Sequence, residues 1–213
     1  MLPLHPHLSA KDHIIWDWNG TLLNDIEHAV VTVNLLLAEE GLPAITLERY
    51  KQDFGFPVID YYRKLGFSTD PAAFRELCDR FNSYFHAGLG TCDLWPGVRE
   101  TLAYVKKFGK RQSILSASEQ ELLLSQVRRF GIEYRFDHIA GIADKLAGSK
   151  VDRGRELMAK IGVATERTLM IGDTDHDHEV AEALGIDIIL VDHGHQCPTR
   201  LRKVHPNVMR VIG

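Results

Sequence analysis

Cysteine is scarce in this sequence, with three residues at positions 78, 92 and 197. Their wide separation gives neither a disulfide framework nor the paired spacing of a zinc motif. Positive charge is not in excess either: 25 basic residues face 29 acidic ones, the formal charge is −4, and no basic run interrupts the spread. A nucleic-acid partner therefore has no electrostatic footprint, and an anionic membrane is disfavoured. Long apolar runs are missing too. Stretches such as 186–191 fall far below the ~20 residues that cross a bilayer. The first residues, with Pro3, His5, Pro6 and His7, lack the charged start and apolar centre of a signal peptide. There is no internal repeat and no low-complexity tract. The expectation is a soluble cytoplasmic protein, monomeric or homodimeric, without nucleic-acid or membrane partners.

What is there is 45% hydrophobic and 25% charged residues in 213, enough for one sizeable core with a smaller insertion. His13-Ile14-Ile15-Trp16 is a short apolar run that stops at Asp17, as a buried strand delivering a carboxylate to its end. Similar runs recur at 112–115, 168–171 and 187–191. Helical patterns lie between them, at 98–108, 119–130, 152–161 and 177–184, and Gly109, Gly131, Gly162 and Gly185 close all four. Strands alternating with single helices predict an α/β fold with a doubly wound parallel sheet, which places ligands beyond the carboxyl ends of the strands. Residues 24–91 break this rhythm. Helical spacing at 25–40, 47–54, 58–65 and 71–87, without a strand, predicts a small helical domain inserted into a core of residues 1–23 and 92–213.

Four segments carry chemistry. Asp17-Trp18-Asn19-Gly20-Thr21 follows the first strand, where a carboxylate beside a tight turn could attack phosphorus or coordinate a metal. Ser116-Ala117-Ser118 ends the second strand with hydroxyls suited to a phosphoryl oxygen, although Ser118 before Glu119 reads as a helix cap. Lys150 follows Gly148-Ser149 just before a helix, where an ammonium could neutralise a nucleophile and a phosphate. Gly172-Asp173-Thr174-Asp175-His176-Asp177 ends another strand with carboxylates suited to Mg²⁺, which prefers oxygen ligands. Asp175 reads there as solvent-facing or as an N-cap.

In order and spacing these segments resemble the four motifs of the haloacid dehalogenase superfamily, from about His13 to Val191, with the insertion placed like the cap of phosphoglycolate phosphatase-like members. The resemblance implies a Rossmann-like core, Mg²⁺ as cofactor and hydrolysis of a small phosphorylated metabolite. It assigns Asp17 as the nucleophile that forms an aspartyl-phosphate. Asp17, the Asn19 backbone carbonyl and Asp173 would hold Mg²⁺, with Asp177 ligating through water or orienting the shell. Ser116, Ala117 and Lys150 would bind the phosphoryl group. In related caps the loop corresponding to Phe54-Gly55-Phe56-Pro57 faces the active site; here an aromatic pair around glycine fits a turn in the cap's own core equally well. Hinges would lie at 22–24 and 91–96.

One position departs from the pattern. Asn19 stands where phosphatases of the family carry the Asp that protonates the leaving group, and an amide cannot do so; losing such assistance costs ~10²–10⁴-fold in rate. Three readings are open: a phosphatase with altered acid–base chemistry, a C–P hydrolase of the phosphonoacetaldehyde hydrolase kind using Lys51, or a non-catalytic phosphometabolite binder. For the first, Asp175, His176 and Asp53 are candidate substitutes. His176 with His178, and His193 with His195 and Cys197, could bind zinc, but without a helical i, i+4 pair they read as surface or substrate-facing histidines.

Overall fold

A computed structural model describes residues 4–142 and 150–212, so Lys145, Gly148 and Ser149 lie outside the described residues. In chain order the elements are α1 (His5–Leu8), β1 (His13–Trp16), β2 (Leu23–Asn24), α2 (Ile26–Glu39), α3 (Leu47–Asp53), α4 (Val58–Leu65) and α5 (Pro71–Gly88). There follow β3 (Asp93–Leu94), α6 (Val98–Lys107), β4 (Arg111–Glu119), α7 (Gln120–Arg129), β5 (His138–Ile142) and α8 (Lys150–Ile161). The chain ends with β6 (Thr168–Gly172), α9 (Asp175–Leu184), β7 (Asp187–Val191), α10 (Pro198–Val204) and β8 (Val208–Met209).

The main sheet has six strands in the order β5-β4-β1-β6-β7-β8, and every pairing in it is parallel. The four strands expected from apolar runs form its centre. β5 and β8 extend the edges; β5 carries His138 and Gly141 in five residues, and β8 has only two residues, so neither gives an apolar run.

Alternation along β1 sends Ile14 and Trp16 to one face and Ile15 to the other. On the first face they pack with Leu102 and Val105 of α6 and with Leu123 and Val127 of α7; on the second, Ile15 meets Leu157 of α8 and Val180 of α9. Both faces are therefore buried, as a parallel sheet requires. The strands share one register, with Trp16 opposite Ile114 on one side and Ile171 on the other. Asp17 and Asp173 consequently leave the sheet at the same end.

The helices α2 to α5 follow each other without a strand, as expected, and pack a core of their own around Val33, Leu36, Tyr50, Tyr61 and Leu77. The short antiparallel pair β2–β3 lies where the chain enters and leaves this segment. Among the described residues no helix is long and apolar enough to cross a membrane.

At the opening of β1, His13 is fully buried and shares a hydrogen bond of 2.9 Å with the Ser113 hydroxyl through Nε2, while its Nδ1 meets no partner among the described residues. Burial, with Arg111 nearby, lowers its pKa from 6.5 to about 4. The unfolded chain therefore takes up a proton that the fold refuses. This part of the stability is complete above pH ~6.5 and disappears as the pH falls towards about 4. His13→Gln removes the titrating group, so its stability should fall less over that window. Denaturant unfolding at pH 7 and pH 4.5 checks this; equal losses in both proteins would rule His13 out.

Candidate active site

The turn after β1 is tied down by its own backbone. The N–H groups of Leu22 and Leu23 donate to the Trp18 carbonyl at 3.0 and 2.9 Å, and the buried Trp18 indole donates to Gln126 at 2.5 Å. Gly20 sits at φ 72°, and a Cβ there would run into the Asp173 carboxylate and the His195 ring. Two more glycines serve the same crowding. A Cβ on Gly172 would overlap the Asp177 side chain, and one on Gly194 would overlap Asp173. The backbone is thus pared down wherever it passes a carboxylate.

Into this space come three buried carboxylates, Asp17, Asp173 and Asp177, each offering an oxygen within 4.8 Å of the others. Lys150, at the first position of α8, donates to Asp17 Oδ1 and, at 2.5 Å, to Asp177 Oδ1. Asp177 also closes a capping box: its Oδ2 accepts from the backbone N–H groups of Asp173 and Thr174 and from the Thr174 hydroxyl at 2.8 Å. Asp173 accepts from the His195 N–H at 2.6 Å and from the Thr21 hydroxyl at 3.1 Å.

Burial drives the Asp17 carboxyl up, and the neighbouring Asp177 and Asp173 add to this against the pull of Lys150. Burial acts on Asp177 too, but Lys150 and the Thr174 bonds hold it below the usual carboxylate range. Lys150 is desolvated yet raised well above its ordinary value by the two carboxylates.

Asn19 is half-buried and held from two sides. Its Oδ1 accepts from the Ser118 hydroxyl at 2.7 Å, and its Nδ2 donates to Asp25 Oδ2 at 2.6 Å. Asp25 also accepts the Gly20 N–H at 2.8 Å and pairs with His195 Nε2 at 3.3 Å. On its other side, His195 Nδ1 meets the Tyr50 hydroxyl of α3 at 3.0 Å. His195 is desolvated, but Asp25 raises its pKa to about 9. Four carboxylates thus gather around two basic side chains, Lys150 and His195. The all-oxygen donor set is the kind that Mg²⁺ takes.

Several expectations change here. Ser118 is not the cap of α7; Glu119 accepts from the N–H groups of Glu121 and Leu122, and Ser118 serves Asn19 instead. Asp175 is half-buried and is not the N-cap, which is Thr174; it is held by Arg200 at 2.5 Å and by Gln196 at 2.7 Å. Asp53 pairs with Arg49 of its own helix, and His176 is stacked on Phe56 and paired with Glu179. None of these three contacts Asn19. The groups that do, or that lie one bond further, are Ser118, Asp25 and His195. His193 and His195 are buried rather than superficial, and among the described residues no second convergence of three metal-ligating side chains exists.

Ser116 is buried within β4 and accepts the Ser118 N–H at 3.0 Å, whereas Ala117 is exposed. Phe54 and Gly55 face the core. The Phe54 carbonyl accepts from Gln196 and Arg200, its ring lies 5.5 Å from that of His195, and a Cβ on Gly55 would strike the Arg200 guanidinium. Asp25 escaped the sequence reading because an Asp opening a helical pattern looks like a cap, yet it caps nothing in α2. His195 gave no signal beyond following the last apolar run.

This fold and this cluster define a doubly wound α/β protein with a carboxylate centre at its strand ends. The chain belongs to the haloacid dehalogenase-like hydrolase family, whose profile matches residues 14–191. It is 29% identical over 185 residues to the tyrosine-protein kinase PtkA of Mycobacterium tuberculosis, covering 85% of this chain and 62% of the relative. It thus spans less than two thirds of PtkA. It is likewise 29% identical over 191 residues to the phosphoglycolate phosphatase of Xanthomonas campestris pv. campestris, covering 86% of this chain and 84% of that one. Among solved structures, a haloacid dehalogenase-like family protein of Streptococcus pneumoniae superposes with a TM-score of 0.78 at 19% identity, over 95% and 94% of the two chains.

Because Gly194 leaves room for Asp173, Gly194→Ala should displace that carboxylate and weaken divalent-cation binding ~10–100-fold. Calorimetric titration with Mg²⁺ measures this; an unchanged affinity would mean that Asp173 is held in place by other contacts.

Proposed function

We propose that this chain is a Mg²⁺-dependent phosphomonoester hydrolase acting on a small phosphorylated metabolite, with Asp17 as nucleophile. The observation that carries this reading is the convergence of Asp17, Asp173, Asp177 and Lys150 at one end of a parallel sheet. The names of the two relatives, a tyrosine-protein kinase and a phosphoglycolate phosphatase, both describe work on phosphoryl groups.

Asp17 has one oxygen engaged by Lys150, which leaves the other to attack phosphorus. The new bond is the aspartyl-phosphate P–O bond, the bond broken is that to the leaving oxygen, and water later returns phosphate and the carboxylate. Mg²⁺ would be held by Asp17, Asp173 and the Asn19 carbonyl, with Asp177 acting through water, and it supplies charge neutralisation between nucleophile and phosphate. Lys150 keeps Asp17 and Asp177 in place while Ser116 receives a phosphoryl oxygen. Residues 24–91 serve as a cap whose α3 end, with Phe54 and Gly55, closes over the leaving group. Asn19 donates no proton, so substrates with good leaving groups turn over best.

A second reading has one observation in its favour. Lys51 of α3 is half-buried, its amine lowered by that burial, and its ammonium contact is a long 3.4 Å to the His193 carbonyl. Such an amine suits a Schiff base with a carbonyl substrate, as in C–P hydrolysis. Borohydride trapping with phosphonoacetaldehyde distinguishes the two.

The main test is p-nitrophenyl phosphate hydrolysis with Mg²⁺. Asp17→Asn is expected to lose roughly 10³-fold or more, and chelation should silence the wild type. Rapid-quench labelling should find phosphate on Asp17. Full activity in Asp17→Asn would refute the nucleophile, and saturable phosphate binding without labelling would favour a non-catalytic binder.

A further inference from the structure

Asp25 occupies the N-cap position of α2, yet its side chain makes no capping bond there. It turns back into the loop after β1 and spends both oxygens on it. Oδ1 accepts the Gly20 N–H and faces His195 Nε2; Oδ2 accepts the Asn19 amide at 2.6 Å. Asp25 itself is only 1% exposed. Asn19 is satisfied on both sides, donating to Asp25 and accepting from Ser118.

This geometry explains an amide at position 19. A carboxylate there would set an acceptor against an acceptor at hydrogen-bond distance in a part-buried site, and a second negative charge beside Asp25 would repel it. An amide of the same shape turns that contact into a bond. The reverse arrangement keeps the same bonds within the loop, at the loss of the anion that faces His195. With a carboxylate at position 19 and an amide at position 25, the amide nitrogen would donate to the carboxylate and the amide oxygen would accept from Gly20. Ser118 would still donate to position 19. The two states with like groups differ. Two carboxylates repel. Two amides require Asn19 to turn over and Ser118 to accept rather than donate, and like the exchange they leave His195 without its anion.

We propose that Asn19 and Asp25 form one coupled unit, in which Asp25 is a positioning residue that fixes the Asn19 amide and the His195 ring and bars a carboxylate from position 19. The substitution at 19 is therefore compensated six positions along the chain. Through His195, whose N–H holds Asp173, the same carboxylate also steadies a cation ligand, and through Tyr50 it reaches the helical segment. The consequence for turnover rests on the phosphatase reading; the coupling itself does not.

The test is a cycle of four proteins: wild type, Asn19→Asp, Asp25→Asn and the exchange N19D/D25N. Denaturant midpoints are read first, without metal or substrate. Asn19→Asp should be the least stable, and the exchange should unfold at a higher midpoint than Asn19→Asp, so that the two changes are strongly non-additive. Should Asp25→Asn fail to fold, the comparison of Asn19→Asp with the exchange carries the test alone. Turnover is then read with Mg²⁺ on p-nitrophenyl phosphate and on glycerol phosphate, whose leaving group needs a proton. Asp25→Asn should lose ~10–100-fold in kcat with a smaller change in KM. The exchange should exceed Asn19→Asp on both substrates and exceed the wild type on glycerol phosphate by ~10-fold or more. An exchange no more stable than Asn19→Asp, or an active wild type with an exchange no faster than Asn19→Asp on glycerol phosphate, overturns the proposal. A wild type inactive on every phosphate ester removes the phosphatase reading, while the unfolding cycle still decides the coupling.

Discussion

Lys150 gives a single positive charge to two buried carboxylates, and the rest of the site is arranged around what that charge leaves undone. Asp17 and Asp177 share its ammonium, while Asp173 accepts from the His195 N–H and the Thr21 hydroxyl. Desolvation penalises each carboxylate, and Coulomb attraction repays that cost only where geometry is tight and spare lone pairs find donors. Asp177 meets both conditions. Asp17 meets only one, and its carboxyl accordingly rises while that of Asp177 falls. An oxygen that the fold leaves short of positive charge is one that a cation or an electrophilic phosphorus would satisfy.

Such a cluster demands close backbone approach, and the parallel sheet supplies it. Equal registers bring β1 and β6 to an end side by side, so the residues following them, Asp17 and Asp173, are neighbours without any long side-chain reach. The glycines at 20, 172 and 194 then remove the atoms that would keep carboxylates apart. The arrangement is therefore written in the backbone, and its side chains need few rotamer choices. That matters for chemistry that consists mainly of positioning and charge stabilisation.

The central strands and the four helices of the insertion were legible because periodicity reports burial directly: residues between two packed faces must be apolar, and helices with one dry face must repeat at 3–4 residues. The edge strands were not, since β5 and β8 need little apolar character where one side is open. The four chemical segments were legible because strand ends gather in a doubly wound sheet. What escaped were residues whose local context suggests an ordinary job. Asp25 looks like a helix cap and Ser118 like another, yet each turns to Asn19. Local pattern names the element a residue belongs to; it cannot say which of two competing hydrogen bonds the side chain will take.

These residues make a continuous polar path. It runs from Ser118 in β4 through Asn19 and Asp25 to His195, and from there to Tyr50 in α3. Beside it, the Lys51 carbonyl accepts the Cys197 N–H at 2.9 Å, and the Phe54 carbonyl accepts from Gln196 and Arg200. The helical segment is thus joined to the core through polar contacts at α3, while its apolar packing is kept largely to its own interior. Polar seams separate at lower cost than apolar ones, because water can replace each bond that opens. The exception is the buried Asp25–His195 pair, which loses its shelter if Tyr50 withdraws. Opening the seam would admit water to the groups that orient Asn19 and Asp173, and closing it restores the dry, charged setting on which the site depends.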